Sequence, residues 1–391
     1  MGSSQAVTHG SSNFSDAKLQ ENVASMVDFY NAQVDGFAEH CRTQRIAEPK
    51  AADADDYIDF DPKKISWNRA DKVNVARGTK YAFDAQRVFT SAYRPFAKQC
   101  VVFDGRLNDM VYQMARIFPA PTYKNVGFYL TGPGAPKPFS ALMVDQLPDL
   151  NFWGEGGQFF PRFTYRKLAI DGGFDFGEDE GYERVDNITD AALAGYRDVY
   201  NDPTITKDDI FYYTYALLHS PEYRERFAAD LKKSLPRIPK AQNFHGFATA
   251  GRALADLHLN YEQAQLYKGI VETETGDPSA TPPSELYRVA KMKIPKVKGQ
   301  PDQSTIVYNT RVKLTNIPEE AYRYQIGARS AIEWIIDRYQ VKVDRASEIV
   351  NDPNDWSDDP RYIIDLLKRI VTVSLETMTI VDALPPLEIL E

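Results

Sequence analysis

The clearest fold signal of this chain is the stretch DNITDAALAGYRDVYNDPTITKDDIFYYTYALLHSPEYRERFAADLKKSLPRIP, residues 186–239. Thr206 precedes acids, which is typical of a helix N-terminus, because a hydroxyl caps free N–H groups and acids favour the positive end of the dipole. Ser220 followed by Pro221 predicts the start of another helix, since proline is well tolerated at the first helical position. The helices predicted here and just beyond are Asp190–Tyr200, Lys207–Leu218, Pro221–Leu235 and Phe244–Tyr261.

Outward from these helices, toward the N-terminus, residues 81–170 have a different character. Runs of β-branched and aromatic residues alternate there with clusters of Pro and Gly, which is typical of strands joined by turns. Before them, apolar residues recur at three- and four-residue steps between 14 and 45, and they predict a helix capped by Ser15. The predicted strands are 88–93, 100–103, 126–131, 139–144 and 158–165.

Toward the C-terminus, residues 271–284 are rich in Gly, Pro, Ser and Thr, and they are predicted to form a linker. Runs of strand-forming residues follow the linker, and two helices come after them. These elements are strands within 286–295, 304–314 and 322–326, a helix at Ser330–Tyr339 and a long helix at Arg361–Ala383. Strands and helices therefore occur in separate blocks, which predicts an α+β fold.

The blocks also predict a division of the chain, whose 391 residues suffice for one large domain or two to three smaller ones. We expect a β-rich N-terminal lobe, a central helical spacer and a smaller α/β C-terminal lobe that ends in a long helix. The predicted parts are a helical connection at 1–80, a β-rich recognition lobe at 81–170, a helical spacer at 171–284 and an α+β lobe at 285–391.

Composition limits the class of protein. Hydrophobic residues make up 43% and charged residues 26% of the chain, which is ordinary for a globular protein. The two cysteines, Cys41 and Cys100, are too few for a disulfide scaffold and suit a reducing compartment, so a cytoplasmic location is expected. The sequence has no apolar run of about 18 residues, so no membrane partner is expected.

The net charge is −9, but the charges are segregated along the sequence. Residues 87–137 hold seven Lys or Arg against two acids, and residues 286–299 hold five Lys or Arg and no acid. Acids collect instead at 171–190, with eight, and from 344 onward, with eleven. This segregation allows a basic face on an acidic protein, whereas the alternative is that both basic stretches are ordinary solvated surface.

Sequence motifs of common catalytic sites are absent. The chain has no GxxxxGK[ST] phosphate loop, no HExxH and no GxSxG element, and its five histidines lack metal-ligand spacing. His219 and His258 lie at predicted helix C-termini, where a cation is favoured and an imidazole can cap carbonyls. Two alternatives stay open: an enzyme with an unrecognised site, and a protein-interaction module whose acidic face, 171–190 with 344–391, binds a basic partner.

Two segments interleave aromatic rings with cations, YRPFAK (93–98) and WIIDRYQVK (334–342). Guanidinium groups bind phosphates and purine edges bidentately, and lysines add attraction to phosphates. The pattern favours nucleic-acid binding, although a buried strand end with an internal salt bridge would explain YRPF equally well. The cations of these segments that we expect to contact DNA are Arg94, Lys98, Arg338 and Lys342.

Seven stretches carry a resemblance to a known family. They are NFSDAKLQENVASMVDFYN (13–31), YRPFAKQCVVFD (93–104), MARIFPAP (114–121), the opening stretch 186–239, AGRALADLHLNYE (250–262), SAIEWIIDRYQV (330–341) and IVNDPNDW (349–356). In this order they resemble the C-terminal region of the single-chain Type ISP restriction-modification enzymes. The matches are long and span nearly the whole chain.

The resemblance implies that this chain supplies DNA recognition to a larger polypeptide. Enzymes of that family join a nuclease, a superfamily 2 helicase-like ATPase, an N6-adenine methyltransferase and a target-recognition domain. The methyltransferase tetrapeptide Asn-Pro-Pro-Tyr/Phe is missing here. The stretch NDPN (351–354) looks similar, but its interposed Asp breaks the motif.

The resemblance therefore implies no catalytic residue, metal ligand or cofactor in this chain, while the parent enzyme uses S-adenosylmethionine, ATP and Mg. The partners it implies are double-stranded DNA and the methyltransferase and helicase parts of the parent. The helix predicted at 14–45 is expected to connect to the methyltransferase.

The resemblance also separates two kinds of expected DNA contact. YRPF (93–96) and PRIP (236–239) are expected to recur in family members with different target sequences. Arg94 and Arg237 are therefore expected to contact phosphates or to support the scaffold. Base readers are expected in or beside the loops 104–113, 131–138, 154–157 and 296–303, where Asn and Gln suit adenine and Lys suits guanine. The candidates there are Asn108, Gln113, Lys137, Gln158, Lys298 and Gln300. Arg116 is a further expected DNA contact, without an assigned role.

Overall fold

A computed structural model describes residues 11–108, 111–154, 156–168, 181–276 and 281–390. Helices and small sheets occur in separate blocks along the chain, and this confirms the predicted α+β class. The α-helices of these residues are α1 Asp16–Gln44, α2 Ala51–Asp55, α3 Arg69–Ala76, α4 Met114–Ile117, α5 Asp190–Tyr200, α6 Lys207–His219, α7 Pro221–Arg226, α8 Ala228–Leu231, α9 Phe244–Leu259, α10 Pro283–Leu286, α11 Ala331–Arg338 and α12 Tyr362–Asp382.

The strands of the described residues are short and form several small sheets. They are β1 Ser12–Asn13, β2 Val88–Arg94, β3 Ala97–Val102, β4 Gly127–Thr131, β5 Ala141–Val144, β6 Leu147–Pro148, β7 Gly157–Pro161, β8 Phe163–Lys167, β9 Tyr182–Asp186, β10 Val271–Glu274, β11 Lys296–Val297, β12 Gln300–Pro301, β13 Ile306–Val307, β14 Val312–Thr315, β15 Gln325–Ile326, β16 Arg329–Ser330, β17 Lys342–Val343 and β18 Val350–Asn351. The larger sheets have the orders β1-β3-β2-β6, β5-β4-β7 and β10-β14-β13.

Helix bounds follow the predicted caps closely. The Ser15 hydroxyl accepts a hydrogen bond from the Lys18 N–H and begins α1, which ends at Arg45 in the left-handed conformation. Thr206 and Asp209 exchange side-chain and backbone hydrogen bonds at the start of α6, which forms a capping box. Local chemistry therefore predicts where these helices start.

Two predicted elements are each divided in the structure. The helix predicted at 221–235 becomes α7 and α8, because the backbone leaves the helical conformation at Phe227, with φ −108° and ψ 18°. The strand predicted at 158–165 becomes β7 and β8, which pair with β4 and β9 respectively. Arg162 lies between β7 and β8 and binds Asp208 at 2.7 Å, so a buried arginine paired with an exposed acid marks the change of sheet.

The strand predicted at 286–295 is wrong. Side-chain amides bond the backbone of its first part, and pairing with a neighbouring strand is limited to one isolated bridge between Lys293 and Val307. The Asn354 amide bonds both the N–H and the carbonyl of Val289, at 2.9 and 2.8 Å. The Asn309 amide donates to the carbonyls of Leu286 and Arg288, at 2.8 and 3.0 Å. These amides satisfy the buried backbone, so the segment stays irregular.

The linker predicted at 271–284 is also wrong, because it begins with the strand β10 and ends in the helix α10. β10 pairs with β14 in antiparallel register, with Glu272 opposite Leu314. Glu272 binds both Arg361 and Lys368 of α12. The described residues of this segment are therefore tied into the C-terminal sheet by pairing and by charge, and residues 277–280 lie outside the description.

Large aromatic residues build one core that combines parts of both predicted lobes. Phe96 and Trp153 of the N-terminal part are buried together with Trp334 and Leu367 of the C-terminal part. Burial of such side chains contributes about 2 kcal/mol each. The two predicted lobes pack directly against each other, and their division at 170 and 285 stays a prediction.

A second core lies between α6 and α9, where the helices approach closely at Gly251. A Cβ atom at Gly251 would lie 1.8 Å from the Tyr212 carbonyl oxygen, so only glycine fits there. A third core packs α1 against residues 54–107, with Tyr30 stacked on Tyr81 at a ring-centroid distance of 4.1 Å. The long N-terminal helix is therefore anchored to the body of the protein.

Candidate nucleic-acid interface

Arg94 and Lys98 lie on the hairpin β2–β3, and both bind acids. Arg94 Nη1 is 2.9 Å from Asp149 Oδ1, and the Lys98 Nζ is 2.6 Å from Glu262 Oε2. The two cationic side chains are only 11% and 14% exposed. Their charges are matched inside the protein, as the salt-bridge alternative for YRPF expects for Arg94. Both stay predicted DNA contacts, with an acid competing for each cation.

The fold brings the second aromatic and basic segment against the first. The Tyr339 hydroxyl donates to the Phe96 carbonyl at 3.3 Å, which joins the end of α11 to the turn between β2 and β3. The guanidinium groups of Arg329 and Arg338 both lie against Trp334, at 5.2 and 5.4 Å from the ring centroid. Two segments far apart in the sequence therefore place their cations together.

We call Arg94, Arg329, Arg338 and Lys342 the cation cluster. Burial lowers the pKa of Arg338; the Asp337 carboxylate opposes this, while the charges of Arg94 and Arg329 add to it. Burial also lowers the pKa of Lys342, and the Arg338 charge lowers it further. The charges of Arg94 and Arg329 therefore disfavour the charged forms of Arg338 and Lys342, which an anion bound nearby would relieve.

Acids only partly balance the cation cluster. Among the described residues, its ion-pair partners are Asp149 and Asp337, so two carboxylates face four cations. The Nε atoms of Arg94 and Arg338 are buried without a hydrogen-bond partner in the described part of the chain. The cluster thus keeps surplus positive charge beside the aromatic residue Tyr93, whose ring centroid lies 4.0 Å from the Arg94 guanidinium.

A second basic surface surrounds the C-terminal sheet, and we call it the lysine surface. Its members are exposed lysines without an ion-pair partner among the described residues, Lys291, Lys293, Lys296, Lys298 and Lys313. Val307 pairs with Lys293 on one side and with Lys313 on the other. Directly paired residues project from the same face of a sheet, so these two lysines share one face.

The cation cluster and the lysine surface meet at a backbone hydrogen bond. The Val341 N–H donates to the Ala290 carbonyl at 2.9 Å. Lys342 and Lys291 each follow a member of that bonded pair, so the two groups of cations are contiguous along the fold. The arrangement offers a run of positive charge of the kind that attracts the phosphates of a duplex.

The remaining predicted contacts in the N-terminal part lie apart in several loops and turns. Asn108 Oδ1 accepts from the Asp104 N–H at 2.7 Å, and Gln113 Oε1 accepts from Arg116 Nη1 at 3.2 Å. Lys137 Nζ donates to the Trp153 carbonyl at 2.7 Å. Residues 109, 110 and 155 of the predicted loops lie outside the described residues.

The other predicted contacts are exposed. Gln158 lies on β7, and Arg237 follows α8, where its carbonyl accepts from the Tyr223 hydroxyl at 2.8 Å. Lys298 and Gln300 lie on the hairpin β11–β12. No contact in the structure tests these residues as DNA ligands, so they stay predictions.

Sequence reasoning missed Arg329 and Lys313. Arg329 precedes Trp334 by five residues and Arg338 follows it by four, spacings that bring both cations onto one ring at the start and end of α11. Lys313 lies between Val312 and Leu314, so alternation along β14 marks it as the outward residue between two buried ones. Either signal could have been read once the strand and the helix were assigned.

The alternative of a protein-interaction module requires a free acidic face at 171–190 and 344–391, but internal ion pairs neutralise some of these acids. Asp352 binds Arg288, and Asp382 binds Arg323 at 2.9 Å. Asp365 is 3.2 Å from Arg361 within α12. Residues 169–180, which hold much of the other acidic stretch, lie outside the described residues.

Both histidines that were predicted at helix C-termini are buried. The Nδ1 of His219 donates to the Tyr215 carbonyl at 2.9 Å, so the predicted capping is confirmed for His219. It is wrong for His258, whose ring nitrogens contact the hydroxyls of Tyr215 and Thr377 instead of backbone carbonyls. Burial holds the pKa of His219 well below its ordinary value and lowers that of His258 to about 3, so burial outweighs the expected preference for a cation. A cavity of about 240 Å³ near α8 is lined mainly by apolar groups such as Phe227 and Leu231.

Metal-binding groups and membrane-spanning helices were sought among the described residues. No group of three or more His, Cys, Asp or Glu side chains is placed to hold a metal ion. None of the helices described is long and apolar enough to cross a membrane.

Comparison with known proteins gives a consistent result. The family model of the Type ISP C-terminal specificity domain matches residues 8–366. The chain is similar to the Type ISP restriction-modification enzyme LlaGI, solved as a nuclease-deletion mutant with a DNA substrate mimic, at 37% identity and a TM-score of 0.82 over 100% of this chain. It is also similar to the ATP-dependent Type ISP enzyme LlaBIII bound to DNA, at 35% identity and a TM-score of 0.83 over 98% of this chain.

A third similar structure is the DrdV–DNA complex, at 29% identity and a TM-score of 0.81 over 98% of this chain. The chain spans only 34%, 22% and 35% of the lengths of the LlaGI, LlaBIII and DrdV chains. No curated protein matches the chain. The family match over most of its length confirms the resemblance seen in the sequence, and the chain belongs to the Type ISP C-terminal specificity domain family.

Proposed function

We propose that this chain binds duplex DNA and selects the target sequence of a Type ISP restriction-modification enzyme. The observation that carries the proposal is the lysine surface, whose five exposed lysines have no ion-pair partner among the described residues. Exposed lysines without an ion-pair partner can contact phosphates without first breaking an internal ion pair. The similar LlaGI and LlaBIII structures contain DNA or a mimic of it, which supports the same partner.

In this proposal, binding has an unspecific and a specific part. The lysine surface and the cation cluster attract the phosphate backbone and set the register of the duplex. Fewer side chains, placed on loops and hairpins, then read base edges in the grooves. The chain would thereby place the target adenine within reach of the methyltransferase, which must extrude a base from the stack to modify it.

The chemistry of methylation and cleavage lies elsewhere in the proposed parent enzyme. The methyltransferase and helicase parts would hold S-adenosylmethionine, ATP and Mg, and α1 would connect this chain to the methyltransferase. The location that goes with this function is the cytoplasm, where such an enzyme meets DNA.

The test is the salt dependence of binding by the 391-residue chain to a random-sequence duplex. Each phosphate contact contributes about −0.9 to the slope of log affinity against log salt. The triple variant Lys291→Ala, Lys293→Ala and Lys313→Ala should flatten the slope by up to about 3.

A matched control removes the same amount of charge from lysines that do have partners. It combines Lys64→Ala, Lys72→Ala and Lys80→Ala, whose ion-pair partners are Asp59, Asp55 and Asp35 at 3.0, 2.5 and 2.8 Å. The control should keep the wild-type slope. A wild-type chain without measurable binding at low salt, or equal slopes for the two triple variants, would reject the proposal.

A further inference from the structure

The hairpin β11–β12 is a narrow ribbon with a fixed shape. Its register pairs Lys296 with Pro301 and Val297 with Gln300. The two residues between the strands, Lys298 and Gly299, have φ values of 51° and 85°. Two central residues in the left-handed region form the turn that matches the twist of a two-residue hairpin, so the tip is well ordered by local geometry.

The base of the ribbon is closed by the backbone. The Asp302 N–H donates to the Pro295 carbonyl at 2.8 Å, directly below the Lys296–Pro301 pair. Just before it, Lys293 pairs with Val307 at the edge of the C-terminal sheet. The hairpin is therefore held at the edge of a packed sheet while its tip projects away from the core.

Nothing in the described fold uses the side chains of this hairpin. All residues from Lys296 to Pro301 are exposed, and Val297 is 56% exposed although it is apolar. The Gln300 amide has no hydrogen-bond partner among the described residues. Val297 and Gln300 are therefore both free to contact a ligand, and they lie between Lys296 and Lys298 and the rest of the lysine surface, which attracts the phosphates of a duplex.

The shape of the hairpin and the chemistry of Val297 and Gln300 suit one base pair of DNA. The major groove is wide enough for a two-stranded ribbon. An A·T pair presents there the N7 and N6 groups of adenine, which a Gln amide binds bidentately, and the methyl group of thymine, which an apolar side chain contacts. Opposed residues of a hairpin have Cβ atoms about 5 Å apart, so one amide and one valine can reach the two halves of one base pair.

We propose that the hairpin β11–β12 enters the major groove and that Gln300 and Val297 together read one A·T base pair of the target. This inference rests on the proposed function, because it requires that the chain binds duplex DNA. Lys296 and Lys298 flank the pair and bind phosphates on the two walls of the groove. Gln300 is the specificity-determining residue, since its amide distinguishes adenine from the other bases.

The experiment is a selection of bound duplexes from a pool with a randomised segment, carried out at low salt with the whole chain. The proteins compared are wild type, Gln300→Ala, Gln300→Glu and the control Gln242→Ala, which removes another exposed glutamine. The wild type should enrich a consensus with adenine at one position. Gln300→Ala should lose that preference by on the order of tenfold and keep the other positions, because one bidentate contact is removed.

The glutamate variant separates altered reading from a damaged fold. A glutamate accepts a hydrogen bond from the cytosine amino group, so Gln300→Glu should replace adenine by cytosine at the same position. Gln242→Ala should select the wild-type consensus. A wild-type consensus that Gln300→Ala and Gln300→Glu leave unchanged would overturn the inference and leave the proposed function standing. A wild-type chain that enriches no consensus would overturn both.

Discussion

The two basic regions of the sequence differ in what the fold does with their charge. In the first, Arg94 and Lys98 are largely buried and lie within 2.9 and 2.6 Å of carboxylates. In the second, Lys293 and Lys313 are exposed on one face of a sheet and have no ion-pair partner among the described residues. A basic stretch in the sequence is therefore not a basic surface, and only the fold shows which cations are free to bind an anion.

The largest effect should come from removing the lysine surface as a whole. A variant with alanine at Lys291, Lys293, Lys296, Lys298 and Lys313 should bind random duplex on the order of 100-fold more weakly at low salt, since several phosphate contacts are lost. Titration of a labelled duplex would measure this, and circular dichroism would check the fold. An affinity within a factor of two of wild type would mean that the unpaired lysines of the second region do not bind DNA.

A smaller effect, on stability rather than on binding, should separate Lys98 from Lys293. Lys98→Met leaves Glu262 without its cation in a part-buried site, and should lower the free energy of unfolding by about 2 kcal/mol. Lys293→Met, on the exposed face, should change it by less than about 0.5 kcal/mol. Denaturant unfolding measures both. If Lys98→Met flattened the salt slope as much as Lys293→Met, Lys98 would contact DNA as strongly as Lys293 in spite of its ion pair with Glu262.

The cation cluster is partly neutralised, unlike the fully paired Lys98 and the unpaired Lys293. Asp337 supplies one of its two carboxylates. Asp337→Asn removes the carboxylate that binds both Arg329 and Arg338, at 3.1 and 2.7 Å. The cluster should then attract phosphates more strongly, and affinity for random duplex should rise about threefold. The same titration gives the answer, with Asp382→Asn as a control that frees Arg323 instead. Equal rises in the two variants would show that net charge, and not the cluster, determines binding.

The smallest expected effect is a dependence on pH. Burial and the neighbouring cations lower the pKa of Lys342, so it loses its proton at a lower pH than an ordinary lysine. As the pH rises above 7, affinity should fall by about twofold at a lower pH than that at which ordinary lysines titrate, because the neutral amine no longer attracts phosphate. Lys342→Arg should remove this dependence, since a guanidinium stays charged. A parallel loss in both proteins would assign the pH effect to other groups.

Local sequence signals predicted much of the fold. Ser15 and Thr206 cap the helices that their positions indicated, because capping depends only on neighbouring backbone groups. The strand predicted at 286–295 failed for a reason beyond its own sequence, since Asn309 and Asn354 bond the backbone of its first part from distant positions. Elements that depend on long-range partners were the ones that local reasoning missed.

The candidate site shows the same limit. Sequence patterns indicated Lys298 and Gln300 from their place in a loop, and the structure puts them on an exposed hairpin. They could not indicate that Arg94 lies against Asp149, because the acid is distant along the chain. Nor could they bring Arg94 beside Arg338, which depends on the packing of α11 against the β2–β3 turn.

The most direct test of the account is to map which lysines a bound duplex covers. The whole chain would be acetylated at its amines with and without random-sequence duplex, and the modified lysines identified by mass spectrometry. The account predicts that DNA protects Lys291, Lys293, Lys296, Lys298 and Lys313 and leaves the paired lysines Lys64, Lys72 and Lys80 as reactive as before. Protection of the paired lysines, with the lysine surface still fully reactive, would contradict it.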